Sequence, residues 1–148
     1  MKDYIKILEK TTLFEGVDAE SITAMLGCLG AEKKSYLKGE YVLRVNQPID
    51  RIAVLVEGKL HIQLDDYWGN RSIISVVEVA QMFGEAYATQ KGGVSQSDVV
   101  AVENSTVIFF DINRILTVCS SACRFHALTV RNLFYAVSDK NVKLVNKL

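Results

Sequence analysis

The sequence contains few residues of the kinds that form disulfides or bind catalytic metals. It has three cysteines, Cys28, Cys119 and Cys123, and two histidines, His61 and His126. Three unevenly spaced cysteines are too few for a disulfide framework, which predicts a reducing compartment. A metal enzyme built on a small β-barrel needs two or three converging histidines and a carboxylate, so such an enzyme is disfavoured. No cofactor is predicted, although one histidine would be enough to ligate a haem.

The sequence also lacks an excess of either charge and any long apolar run. Lysine plus arginine and aspartate plus glutamate each number 17, so the formal net charge is zero. Such a chain has no general electrostatic attraction for nucleic acid or for an anionic membrane. No run of 18 apolar residues is present, and residues 1–10 alternate charged and apolar side chains instead of forming a signal peptide. These features predict a cytoplasmic protein without membrane contact.

The chain is expected to fold as one domain that begins with short helices. Its 148 residues and 49% hydrophobic content are sufficient for a core. Apolar residues follow helical spacing near both ends of the segment 1–30, which predicts N-terminal helices there. Asp18 stands at the N-cap position of the second of these helices, and Gly30 stands where that helix can end.

From about residue 32 to residue 112 the apolar pattern changes to that of short β-strands. Six segments are rich in Val, Ile, Tyr and Phe and are separated by turn residues: 35–45, 51–58, 59–66, 71–79, 98–105 and 106–112. Short strands at regular spacing favour a small all-β barrel or jelly roll over a parallel α/β sheet. The single proline, Pro48, falls in one of the predicted turns.

Helical spacing returns after the strands. A short helix is predicted from Asp111, which can serve as its cap, and a long helix is predicted over 122–148. Along the long helix one set of residues recurs at alternating spacings of three and four: Ala127, Val130, Phe134, Val137, Asn141, Leu144 and Leu148. This pattern is typical of a coiled-coil seam, and a buried Asn at such a position fixes register. A second stripe through Leu128, Leu133 and Ala136 leaves docking on the chain's own barrel as the alternative.

The order of these elements and several local motifs resemble the sensor domain of Crp/Fnr-type bacterial transcription regulators. The motifs are 13-LFEGV-17, 39-GEYVLRVNQPIDRIAVLVEGKLHI-62, 67-YWGNRSIIS-75, 82-MFGE-85 and 101-AVENSTVIFFDINRI-115. The resemblance implies a mainly β fold with flanking helices, namely a double-stranded β-helix (a jelly roll of the cyclic-nucleotide-binding type). It also implies that the long C-terminal helix is the axis of a homodimer.

In this family an effector pocket lies between the barrel and the long helix, and a helix-turn-helix domain follows the helix. No DNA-binding module is present in these 148 residues, so we expect DNA contact only through a domain beyond Leu148. The sequence does not identify the effector or the operator. The alternative function is a stand-alone β-barrel for binding or protein interaction, without a DNA-binding role.

The Phe-Gly-Glu turn (residues 83–85) corresponds to the first of two ligand-binding motifs in the family. In members that bind a cyclic nucleotide, this turn supplies backbone N–H groups for the phosphate and a carboxylate for a ribose hydroxyl. The matching positions here are Gly84, Glu85 and Ala86. The alternatives for Gly84 and Glu85 are a role in shaping the barrel end only, or contact with a different small effector.

The second half of the ligand pattern departs from the family. Members that bind a cyclic nucleotide carry an arginine and a Ser or Thr that pair with the phosphate. Matching the motifs places Gln96 or Ser97 at the arginine position and Asp98 at the hydroxyl position. The missing guanidinium removes a bidentate phosphate contact, and a carboxylate at Asp98 would repel the phosphate. The sequence therefore predicts a pocket that is not competent for cyclic AMP.

One further pair of residues is a candidate for chemistry. Cys119 and Cys123 stand four residues apart and would share a face of a helix, as a redox pair or half of a metal site. The alternative, which we favour, is that both cysteines lie at a junction between two helices and pack there as small apolar side chains.

Together the composition, the element order and the family motifs predict a non-catalytic sensor and dimerisation domain.

Overall fold

The computed structural model describes residues 2–117 and 125–146, and these contain five α-helices and eight β-strands. The helices are α1 (Ile5–Leu8), α2 (Ala19–Met25), α3 (Glu85–Ala88), α4 (Ile112–Leu116) and α5 (His126–Asn146). The strands are β1 (Glu32–Tyr36), β2 (Tyr41–Leu43), β3 (Arg51–Glu57), β4 (Leu60–Asp65), β5 (Arg71–Val77), β6 (Met82–Phe83), β7 (Asp98–Ala101) and β8 (Ser105–Asp111). Short 3₁₀ turns at Lys2–Tyr4 and Thr12–Phe14 complete the N-terminal part.

The strands form two four-stranded antiparallel sheets, and the predicted mainly β jelly roll is confirmed. The strand orders are β1-β8-β3-β6 and β2-β7-β4-β5. Residues 52–56 of β3 and 105–110 of β8 are all buried, as expected for central strands that are covered on both faces. The N-terminal segment supplies part of that cover, because the rings of Phe14 and Phe110 meet edge to face with centroids 5.5 Å apart.

Several local predictions are confirmed by backbone and capping geometry. The Asp18 carboxylate accepts a hydrogen bond from Ser21 N–H at 2.7 Å and caps α2. The Asp111 carboxylate accepts from the N–H groups of Asn113 and Arg114 and caps α4. In each case a short polar side chain satisfies N–H groups that a helix start leaves without a partner.

Two strand predictions need correction. The segment 35–45 is not one strand but β1 and β2, because the chain turns between them at Gly39, whose φ is +92°. Glu40 closes this turn by accepting a hydrogen bond from Leu37 N–H at 2.6 Å. The prediction also missed β6, which is only two residues long and lies directly before the Phe-Gly-Glu turn.

Helix α5 packs against the N-terminal segment along one face. His126, Thr129, Asn132 and Leu133 are buried on that face. The Asn132 amide donates hydrogen bonds to the carbonyl oxygens of Leu13 at 3.1 Å and Glu15 at 2.9 Å. Docking of this helix on its own domain is therefore a feature of the fold.

The predicted seam lies on an adjacent face of α5. Phe134 and Leu144 are 67% and 63% exposed, Asn141 is exposed, and Val130 and Val137 are partly buried against the core. Leu148 of the seam and the pair Cys119 and Cys123 fall outside the described residues. Within the described ranges, no helix is both long enough and apolar enough to cross a membrane.

Candidate functional site

A cleft of about 530 Å³ separates α5 from the barrel, and we call it the helix cleft. Strands β4, β5 and β6 and the turn 79–81 form its barrel wall, α5 forms the other wall, and the segment after α1 contributes the remainder. Its charged lining residues are Lys10, Glu85, Asp139, Lys140 and Lys143. This volume lies within the range of small-molecule sites, which span roughly 300–1,000 Å³.

A smaller pocket of about 150 Å³ shares Glu85 and Lys140 with the helix cleft, and we call it the turn pocket. Gly84, Glu85, Ala86 and Ser97, four of the residues predicted from the sequence, line it together. Gly84 is the N-cap of α3 and has the left-handed conformation with φ +82°, which glycine adopts without strain. The Phe-Gly-Glu turn and the end of the following loop therefore meet at one site.

The other two predicted residues lie elsewhere. Gln96 is exposed, whereas Ser95 and Ser97 on either side of it are buried, as an alternating extended chain requires. The carboxylate of Asp98 accepts a hydrogen bond from Val45 N–H at 2.9 Å, and Asp98 is not among the residues that line the turn pocket. The carboxylate of Asp98 is therefore directed to Val45, and the missing arginine is the more direct argument against a phosphate at this pocket.

Glu85 is the most unusual side chain of the site. It is 1% exposed, and its carboxylate forms an ion pair with the ammonium group of Lys140. Apart from that pair, neither carboxylate oxygen has a hydrogen-bond partner within the part of the chain that the structure describes. A buried carboxylate is costly unless it is paired and hydrogen-bonded, and Glu85 retains unused acceptor capacity.

Lys140 reaches Glu85 from α5. Its side chain is half exposed, and its ammonium group also makes a long hydrogen bond of 3.5 Å to the carbonyl oxygen of Met82. Desolvation lowers the pKa of Lys140 below its ordinary value, and the nearby charge of Lys143 lowers it further. Lys143 in turn pairs with Asp139 at 2.9 Å, one helical turn away.

The sequence interpretation missed Lys140, although a signal for it was present. The stripe that docks α5 on the domain runs through Leu133 and Ala136, and Lys140 is its next member at helical spacing. A lysine that continues an apolar docking stripe has to bring its charge towards the barrel. A buried carboxylate on the barrel is the natural partner for that charge.

The histidines do not form part of this site. His126 is buried, with its Nε2 atom 2.6 Å from the carbonyl oxygen of Ile115, and His61 lies partly buried on β4. Within residues 2–117 and 125–146, no three His, Cys, Asp or Glu side chains are grouped so that they could hold a metal ion.

Comparison with protein families identifies the domain family. The model of the cyclic nucleotide-binding domain family matches residues 33–122, which are more than half of the chain. The chain belongs to the cyclic nucleotide-binding domain family. The match includes the barrel and both pieces of the turn pocket, the Phe-Gly-Glu turn and the loop that ends at Ser97. Comparison with curated protein sequences gives no match.

Solved structures of Crp/Fnr-type transcriptional regulators share this cyclic nucleotide-binding fold. The N-terminal domain of a transcriptional regulator from Streptomyces coelicolor A3(2) superimposes with a TM-score of 0.73 at 17% identity, over 95% of this chain and 94% of its own. The sensor domain of the regulator DNR from Pseudomonas aeruginosa gives 0.76 at 18% identity, over 99% and 94%.

A third structural neighbour is longer than this chain. The catabolite activator protein of Thermus thermophilus gives a TM-score of 0.78 at 17% identity, and the match covers 93% of this chain but only 61% of that protein. At these identities the likeness shows the fold. The suspected resemblance to Crp/Fnr sensor domains is confirmed at that level, and the family and these neighbours are regulatory rather than enzymatic.

Proposed function

We propose that this cyclic nucleotide-binding domain is the non-catalytic, effector-sensing and dimerisation part of a Crp/Fnr-like transcription regulator. The observation that carries the proposal is the Glu85–Lys140 ion pair, which joins the Phe-Gly-Glu turn to α5 beside the helix cleft. Any molecule in the cleft would contact the ligand turn and the long helix together. In such a regulator, DNA would be contacted by a separate helix-turn-helix domain.

The packing of α5 suggests how an effector would act. The first half of the helix is fixed by buried side chains and by the two hydrogen bonds of Asn132, whereas residues 141–146 are exposed. The cleft-lining residues Ala136, Lys140 and Lys143 lie where these two halves meet. A ligand that favours one tilt of the free half would shift the population of helix positions by its difference in affinity.

The exposed face of α5 supports the dimerisation part of the proposal. Phe134 and Leu144 of the predicted seam are more than 60% exposed in the single chain. Val145 lies on the same face of α5 and is also more than half exposed. A soluble chain seldom leaves so many large apolar side chains on one helix without a partner, and a second copy of α5 would bury them.

The chemistry of the turn pocket disfavours cyclic AMP as the effector. The charged side chains that line the pocket are Glu85 and Lys140, and they already neutralise each other. No arginine among the described residues lines it, so a phosphate would lack a bidentate partner there. Loss of such charge-assisted hydrogen bonds removes about 3 kcal/mol, or roughly a hundredfold in affinity.

Sedimentation velocity and native mass spectrometry of the whole chain test the proposal. We expect a dimer, and we expect its mass to include a small molecule that is released on denaturation. A chain that stays monomeric at all concentrations, with no bound small molecule, would contradict the sensor and dimer role.

A further inference from the structure

The helix cleft carries an excess of positive charge. Three lysines line it, Lys10 after α1 and Lys140 and Lys143 on α5, against the two carboxylates Glu85 and Asp139. Among the described residues, the cleft lining therefore has one positive charge more than it has negative charges, because Lys140 and Lys143 are paired with Glu85 and Asp139 and Lys10 is additional. A small net positive charge of this kind attracts a small anion, and salt screens the attraction.

The lysines keep donor capacity for a ligand. An ammonium group has three N–H donors, and Lys140 directs one to Glu85 and one, over 3.5 Å, to the Met82 carbonyl oxygen. Lys143 contacts Asp139 at 2.9 Å and is 71% exposed, so its remaining donors face solvent. An anion beside Lys140 and Lys143 would also relieve the repulsion between them, which contributes to the lowered pKa of Lys140.

The rest of the cleft lining is largely apolar. Ile62, Val77, Val79, Met82 and Phe83 form this part of the barrel wall. The cleft thus combines a hydrocarbon surface on the barrel with cationic groups on α5 and after α1. A ligand that matches both parts has an apolar body and an anionic headgroup.

We propose that the helix cleft binds a small organic anion, with its carboxylate or phosphate at Lys10, Lys140 and Lys143 and its apolar body on the β5–β6 wall. This inference rests on the proposed sensor function and names the chemical class of the effector. It places the anionic group on α5 and not at the position of the missing arginine. An effector bound there would contact α5 directly, and α5 is the helix whose position it is proposed to change.

Four compounds with the same hydrocarbon body and different headgroups test the inference by calorimetric titration of the full chain. They are octanoate, octyl phosphate, octanol and octylamine. We expect the two anions to bind at least about tenfold more tightly than octanol, and octylamine to bind more weakly than octanol, because of the excess positive charge.

Variants of exposed residues locate the headgroup. Lys10→Gln and Lys143→Gln should each weaken octanoate binding by about threefold, the effect of losing one solvent-exposed charge contact, and leave octanol binding unchanged. Val79→Lys should tighten octanoate binding, and Val79→Glu should weaken it, because Val79 is 41% exposed on the cleft wall. Lys91→Gln, an exposed lysine of the 89–93 loop that does not line the cleft, is the matched control and should change nothing.

Equal affinity for octanol and octanoate, or failure of all four compounds to bind, would overturn the anion inference. Unchanged octanoate affinity in both Lys10→Gln and Lys143→Gln would overturn it as well. None of these results would contradict the proposed sensor function. That proposal is contradicted by a different result, a chain that is monomeric and carries no small molecule in native mass spectrometry. Lys140 is not substituted in this experiment, because its loss would leave the buried Glu85 carboxylate without a cation.

Discussion

Lys140 on α5 forms an ion pair with Glu85 of the Phe-Gly-Glu turn, and the Glu85 side chain is 1% exposed. The pair connects two elements that are more than fifty residues apart in sequence and that belong to opposite walls of the helix cleft. A buried ion pair contributes little to net stability compared with apolar packing, but removal of one partner is costly. The pair is therefore suited to fixing the position of α5 on the barrel.

Lys140→Met is expected to lower the free energy of unfolding by about 2 kcal/mol, because it leaves the Glu85 carboxylate buried without a cation. Urea denaturation measures this loss. Lys143→Met is the matched control, since its exposed pair with Asp139 is worth less than about 0.5 kcal/mol. The double variant Glu85→Leu with Lys140→Leu should recover most of the stability. Equal effects of Lys140→Met and Lys143→Met would contradict this role of the pair.

The pKa of Lys140 is expected to lie below its ordinary value of 10.5, with desolvation as the main cause and Lys143 as the second. The unfolded chain then holds this proton more tightly than the folded chain. An NMR titration of the Lys140 side chain measures the pKa, and Lys143→Gln should raise it. A pKa above 10.5 would contradict the prediction.

Asn132→Ala is expected to lower the free energy of unfolding by about 2 kcal/mol, because two hydrogen bonds to the carbonyl oxygens of Leu13 and Glu15 are lost. The amide protons of α5 should also exchange faster with solvent, since these bonds hold the helix on the N-terminal segment. Denaturation and hydrogen exchange measure the two effects. Asn146→Ala, at the exposed end of the same helix, should have neither effect, and an equal response of both variants would refute the anchoring role.

Phe134→Glu and Leu144→Glu are expected to weaken a dimer by about a hundredfold, because each places a charge in the predicted seam. Sedimentation velocity measures the change. Asn146→Glu adds the same charge on α5 but on the side of the helix away from the seam, so it should leave the dimer intact. Unchanged association of the two seam variants would show that α5 does not form the interface.

Local sequence signals predicted much of the fold. Asp18 and Asp111 cap the helices at which the sequence places them. These features depend on a few neighbouring residues, so a local pattern contains the information. The jelly roll itself followed from the strand pattern together with the family motifs. The two-residue strand β6 was missed because its pairing partners lie in β3, far away in sequence.

The site was predicted less completely, because two of its features depend on contacts between distant segments. Residues 94–97 precede β7, so the sequence did not tell which of Gln96 and Ser97 faces inward. Backbone hydrogen bonds settle this, from Asn46 N–H to the Ser95 carbonyl oxygen at 2.7 Å and from Ser95 N–H to that of Gln47 at 2.9 Å. Lys140 was missed for a similar reason, since its partner Glu85 is identified only when α5 is docked on the barrel.

The missing arginine is the basis of the prediction about cyclic nucleotides, and Ser97→Arg should reverse it. Ser97 lines the turn pocket beside Glu85, so an arginine there would bring a guanidinium group to the phosphate position implied by the family. We expect the affinity for cyclic AMP to rise at least about tenfold. Gln96→Arg is the matched control, because residue 96 is exposed and its side chain should leave the affinity unchanged.

Calorimetric titration of the unmodified chain with cyclic AMP and cyclic GMP tests the central claim most directly. That claim is that a cyclic nucleotide-binding fold here serves an effector other than a cyclic nucleotide. The predicted result is no binding in the micromolar range for either compound. Micromolar binding of either one, with one molecule per chain, would contradict the claim.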